Sequence, residues 1–186
     1  MSKTIGIFVG SLRRNSFSKS VAEFVVSKSN SEIKFEIIDI SKLDIYNQDF
    51  DDDNNAPESY TVFRDKVKEL SGFLFITPEH NRTIPAVLKN ALDVGSRPYG
   101  KNVWDAKPGG IISVSPGQIG AFGANQHLRQ PMVFLNVLMM QQPEAYLGDI
   151  ASALDESGKL VAERTVKFVD NYIVSFTKCV NLIAAK

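Results

Sequence analysis

The chain has 186 residues with 21 basic and 21 acidic side chains, and a formal net charge of zero leaves no basic excess to neutralise a nucleic-acid backbone. Its 44% hydrophobic and 23% charged residues are those of an ordinary globular protein, here one domain over residues 1–186. A single cysteine excludes an intramolecular disulfide and a cysteine zinc cluster, and two histidines argue against a histidine-rich metal site.

The first predicted element is a strand at residues 4–9, reached without the charged-then-apolar layout of a signal peptide. No apolar run approaches the roughly 18 residues of a membrane span, so a cytoplasmic protein without a membrane partner is expected. A helix follows over 17–29, with Phe17, Val21, Phe24 and Val25 on one face. The second strand is 34–39, and the acidic stretch 44–57, with Asp49, Asp51, Asp52 and Asp53, reads as a solvated loop. A helix over 57–70 is expected to turn Val62, Phe63, Val67 and Leu70 inward. The third strand, 72–77, leads to a helix whose first residue is Pro85, with Val87, Leu88, Ala91 and Leu92 as its stripe. Strand four is 109–115; a helix over 124–136 follows, which Pro131 should kink. Strand five is 137–142, and the last helix, 160–184, carries Val161, Phe168, Val169, Tyr172, Ile173, Phe176 and Val180 at helical spacing. This alternation predicts an α/β fold: a doubly wound parallel sheet of five strands with helices on both faces.

Ligands of such sheets sit beyond the C-terminal strand ends, which singles out three loops. After strand one comes Gly10-Ser11-Leu12-Arg13-Arg14-Asn15-Ser16, hydroxyls and an arginine ahead of a helix N-terminus. It lacks the Walker and Rossmann glycines, and its donors suit a terminal monophosphate. The competing reading is a helix cap by Asn15 or Ser16 with Arg13 in solvent. After strand three, Pro78-Glu79-His80-Asn81 lies between stiffening prolines, and a flat heteroaromatic ring could rest there. Glu79 and His80 could also be read as an acid–base pair, but no nucleophile or metal ligand accompanies them. After strand four, Ser115 precedes Gly117, Gly120 and Gly123, whose spacing permits close backbone approach to a ligand or simply loop flexibility.

Together these loops resemble the NADPH-dependent FMN reductase family of the flavodoxin-like superfamily, and most of all its bacterial quinone, azo-dye and chromate reductases. Gly10 through Phe17 looks like the family's phosphate loop, and Thr77-Pro78-Glu79-His80-Asn81 like its flavin loop, with His80 where the family usually has Tyr. The run from His127 to Gln130 also has the family's look. The resemblance implies sheet order 2-1-3-4-5 and an FMN cofactor with NADPH or NADH as co-substrate. It implies Ser11, Arg13, Ser16, Phe17 and Ser18 at the phosphate and ribityl end, with Pro78, Glu79, His80 and Asn81 against the isoalloxazine and Ser115 and Gly117 on its other edge. It further implies hydride transfer to flavin N5 and on to quinones, azo compounds, free flavin or similar small electron acceptors by ping-pong kinetics, in a homodimer or homotetramer. Gly123 and Gln126 depart from close relatives at the expected subunit contacts. A flavodoxin-type electron carrier is the alternative, though such carriers are usually strongly acidic. A phosphoacceptor domain would need an aspartate at the end of strand three, where Thr77-Pro78-Glu79 stands.

Overall fold

Strands covered on both faces need apolar side chains at nearly every position, and the runs ending at Val9, Thr77 and Val114 supply them. The computed structural model describes residues 2–184. Its elements are β1 (Lys3–Val9), α1 (Phe17–Val26), β2 (Ile33–Ile37), α2 (Gln48–Asp52), α3 (Glu58–Lys68), β3 (Gly72–Thr77) and α4 (Ala86–Gly95). They continue with β4 (Pro108–Val114), α5 (Phe122–Phe134), β5 (Leu138–Met139), β6 (Ala145–Leu147), a 3-10 turn (Ile150–Ala153) and α6 (Glu163–Ala184). The sheet is parallel in the order β2-β1-β3-β4-β5, as the resemblance implied, with β6 also paired to β4. Alternate side chains of each strand feed two cores. Ile5, Ile7, Leu74 and Ile112 pack under α1 and α6, while Phe8, Phe73, Phe75 and Ile111 pack with Trp104 under α3, α4 and α5.

The expected fifth strand, 137–142, is shortened to two residues, and a sixth strand follows beyond it. Leu138 and Met139 pair with Pro108 and Gly109, and Ala145 to Leu147 pair with Ile112 to Val114. Pro143 between them has no N–H to give a ladder. The vacated position is filled by Tyr172 of α6, whose hydroxyl accepts from Ile111 N–H at 2.8 Å and donates to Ile111 C=O at 3.0 Å. Burial pushes its phenol far above the ordinary tyrosine range, so it stays neutral. Tyr172→Phe strands both backbone groups and is expected to cost about 2–3 kcal/mol. Denaturant unfolding checks this; an unchanged midpoint would mean that water replaces the hydroxyl.

Several side chains face differently from the sequence expectation. Val62 is 61% exposed, because α3 buries Tyr60, Phe63, Arg64 and Val67, and position 62 lies off that face. Phe168 is partly exposed, and Val161, also exposed, precedes α6, which starts at Glu163. The helix expected over 124–136 is α5, which starts at Phe122, contains Pro131 and runs on to Phe134. The acidic stretch is not a plain solvated loop: Asn47 caps α2 by accepting from Asp49 N–H, and Asp51 is buried against Arg64. Tyr60 and Asn90 pin the same stretch through the backbone of residues 44–47.

Candidate functional site

The sheet order sets the ends of β1, β3 and β4 side by side, so the loop after β3 lies between the other two. Gly10 N–H donates to Ile76 C=O at 2.9 Å, carrying the β1–β3 ladder into the first loop. A Cβ at Gly10 would sit 3.0 Å from Thr77 Oγ1, 3.1 Å from Pro78 and 3.3 Å from Pro85, so glycine lets the first two loops close on each other. Ser16 is the N-cap of α1, its Oγ accepting from Lys19 N–H at 3.1 Å, which meets the cap reading. That hydroxyl keeps its own hydrogen to donate, so a cap and an anion contact coexist at one residue. Ser16 and Ser18 are buried, whereas Arg13 is exposed with its guanidinium 5.8 Å from the Phe17 ring. The first turn of α1 contains no acidic side chain, so nothing there offsets the attraction of the helix dipole for an anion. Ser11 Oγ accepts from Arg13 N–H at 3.4 Å, folding the loop on itself.

The second loop is a miniature hairpin. His80 and Thr83 exchange both backbone hydrogen bonds, at 2.9 and 3.0 Å, around Asn81 and Arg82, whose φ values are 50° and 66°. Two left-handed residues in succession make a type I′ turn, which asparagine tolerates and arginine adopts at a cost. Glu79 holds this hairpin to the third loop. Its Oε1 lies 3.2 Å from Arg82 Nη1, and its Oε2 accepts from Ala124 N–H at 3.0 Å, at the start of α5. A Cβ at Gly123 would fall 2.7 Å from that Oε2. The Glu79 carboxylate therefore joins loop to helix, while His80 and Asn81 are exposed beside the half-buried Pro78.

In the third loop Ser115 Oγ accepts from Gly117 N–H at 3.0 Å, and Ser115 C=O accepts from Ile150 N–H. Ser115 is half-buried and Gly117 exposed. Below it, buried Ser113 donates to Gly120 C=O at 2.7 Å, and Asn125 Nδ2 donates to Ser113 Oγ and Ala145 C=O, fixing where the loop leaves the sheet.

Two features escaped the sequence reading. The turn at 155–158 faces the start of α1 across a cavity of about 400 Å³ that Arg14, Ser16 and Lys19 also line. Its Asp155 carboxyl is held below the usual carboxylate range, chiefly by the Ser157 hydroxyl. A larger cavity, about 820 Å³, opens between α4, α5 and the hairpin, with His80, Asn81, Thr83 and His127 in its wall. His127 is exposed on α5, and nothing local in the sequence pairs it with Thr83, 44 residues away.

A parallel sheet in the order β2-β1-β3-β4-β5, with β6 added on β4 and three loops gathered at one rim, is a flavodoxin-like fold. Residues 3–151 match the family described as NADPH-dependent FMN reductase. The chain is 44% identical to a quinone reductase of Pseudomonas putida, over 96% of this chain and 95% of that one. It is 42% identical to a 2-hydroxy-1,4-benzoquinone reductase of Burkholderia sp., over 93% of each. Among solved structures it matches FerB, a flavoenzyme NAD(P)H:(acceptor) oxidoreductase from Paracoccus denitrificans, with a TM-score of 0.88, 35% identity and coverage of 96% of this chain and 97% of that one. The chain belongs to the NADPH-dependent FMN reductase family, and it is an enzyme that uses FMN with NAD(P)H.

Proposed function

We propose that this chain reduces quinones with NAD(P)H in a ping-pong sequence, nicotinamide and acceptor occupying one place in turn. The observation that carries the reading is the shared rim created by Gly10, where an α1 N-terminus free of acidic side chains meets the exposed hairpin residues His80 and Asn81. The names of the two bacterial relatives support quinones as the acceptor class, and azo compounds and free flavin belong to the same proposal. Ser11, Arg13, Ser16, Phe17 and Ser18 hold the phosphate and ribityl end. Arg13 meets the phosphate by charge, and Ser16 donates the hydrogen its cap bond leaves free. Pro78, His80, Asn81 and the Glu79 backbone bear the ring on one side, with Ser115 and Gly117 at the other edge. Bound FMN would supply hydride acceptance at its N5, so the protein needs no nucleophile of its own.

Arg14 is the cation we assign to a nicotinamide 2′-phosphate, since Arg82 is already paired with Glu79. Homodimer or homotetramer formation and a cytoplasmic location complete the reading. The neutral charge of the chain disfavours an electron carrier, which docks on its partners through an acidic surface. Absorption spectra test the proposal: added FMN should give peaks near ~375 and ~450 nm that anaerobic NADPH or NADH bleaches and a quinone restores. Absence of a bound flavin spectrum overturns it. Bound flavin that neither nucleotide bleaches would establish the carrier instead.

A further inference from the structure

The chain has two histidines, and both line the cavity of about 820 Å³ between α4, α5 and the hairpin. They are tied together through Thr83. Its backbone is paired with that of His80, and its Oγ1 lies 2.9 Å from His127 Nδ1. That contact fixes the His127 ring and leaves Nε2 as the nitrogen open to a ligand. Apolar Ile84, Leu92, Pro131 and Phe134 line the same cavity, so an apolar wall faces a proton-bearing one. Phe134 is 78% exposed, a flat ring with no partner of its own in the described fold. The other charged groups of the wall come from α4 and the residues just after it. Lys89 and Asp93 are paired at 2.7 Å, and Arg97 adds a cation that keeps the cavity free of net negative charge. On the hairpin, Glu79 is turned away to Ala124 and Arg82.

We infer that this cavity is the seat of the quinone acceptor and that His127 is a catalytic residue, donating a proton from Nε2 to the quinone oxygen. The inference rests on the quinone reading above and deepens it. Reduction of a quinone to its hydroquinone adds one hydride, which carries both electrons, and one proton. The hydride originates from NAD(P)H, which leaves as NAD(P)⁺. The proton passes from the His127 imidazolium to the oxygen, one N–H bond breaking as one O–H bond forms, and the neutral ring regains its proton from water. Imidazole is the side chain whose ordinary titration falls near neutral pH, which suits it to this exchange. Thr83 is a positioning residue that holds the ring by Nδ1.

The test uses the FMN-loaded enzyme and two acceptors. Duroquinone needs a proton with its electrons; ferricyanide takes electrons alone. His127→Gln keeps a hydrogen-bond donor but cannot donate a proton at neutral pH, and it is expected to lower kcat/KM for duroquinone about a hundredfold. The ratio of its duroquinone rate to its ferricyanide rate should fall at least about tenfold below that of wild type, since ferricyanide draws on no proton. The duroquinone rate of the wild type should fall as pH rises, and the fall should vanish in His127→Gln. Thr83→Val should lower the duroquinone rate and leave the pH-dependent fall in place. A second readout needs no turnover: in the oxidised enzyme, duroquinone should shift the proton NMR signals of both imidazoles. Equal losses with both acceptors, or imidazole signals that duroquinone leaves in place, overturn the inference. Failure of the wild type to oxidise NAD(P)H with either acceptor would instead overturn the proposed function, and the imidazole shifts would still decide whether the cavity takes a quinone.

Discussion

Asp51→Asn is expected to lower the unfolding free energy by about 3–5 kcal/mol, the typical cost of removing one partner from a buried ion pair. The side chains of Asp51 and Arg64 are 5% and 9% exposed. Arg64 reaches the two carboxylate oxygens through Nη1 and Nη2, at 2.7 Å each, and gives its Nε to Val94 C=O at 2.9 Å. Its guanidinium also lies 5.0 Å from the Tyr60 ring, so an aromatic face covers one side of the cation. An asparagine of the same shape presents N–H groups to a cation that cannot lose its proton, and the desolvated charge is left uncompensated. Replacing both partners, as in Asp51→Leu with Arg64→Met, should recover most of the loss, because apolar groups of similar volume carry no desolvation penalty. Urea unfolding at constant m-value measures both. A loss below about 1 kcal/mol for Asp51→Asn would place the pair with surface salt bridges, reached by water. FMN affinity should be unchanged in the variant, since α2, α3 and the end of α4 lie away from the three loops.

That pair also marks where the sequence stops being readable. Burial on both faces of β1, β3 and β4 is a local property, visible as unbroken Ile, Val, Leu and Phe, and so the sheet and its loops follow from pattern alone. Whether Asp51 is solvated depends on an arginine 13 residues away in another helix, and a row of acidic residues looks the same in either case. The same limit hid the contact of the Glu79 carboxylate, whose partner is an amide 45 residues further on. It hid the hairpin too, since the usual Asn-Gly signal is replaced by Asn81-Arg82 and the turn is imposed by the Thr83 pairing. β5 is shorter than expected for a different reason. Its apolar run continues through Met140, but the ladder is interrupted by a side chain from α6 that no local pattern announces.

The first loop offers a sharper separation between scaffold and ligand, because Ser16 serves both. Combining Arg13→Ala with Ser16→Ala is expected to weaken FMN binding about 10²–10³-fold, from one charge-assisted bond and one hydroxyl bond worth roughly 3–4 kcal/mol together. Ser16→Ala alone also removes the bond from Lys19 N–H and should cost about 1 kcal/mol of stability, as lost N-caps do. Arg13 is exposed and has no carboxylate partner among the described residues, so its removal should leave stability untouched. Riboflavin resolves the two roles, being the same ring and ribityl chain without the phosphate. If the loop holds the phosphate, riboflavin should bind the double variant and the wild type alike, and the whole loss should appear with FMN. Fluorescence quenching titrations with each ligand measure it. Equal weakening of both ligands would mean that the loop is a helix cap whose loss loosens the site as a whole, and that the α1 N-terminus is not where the phosphate sits.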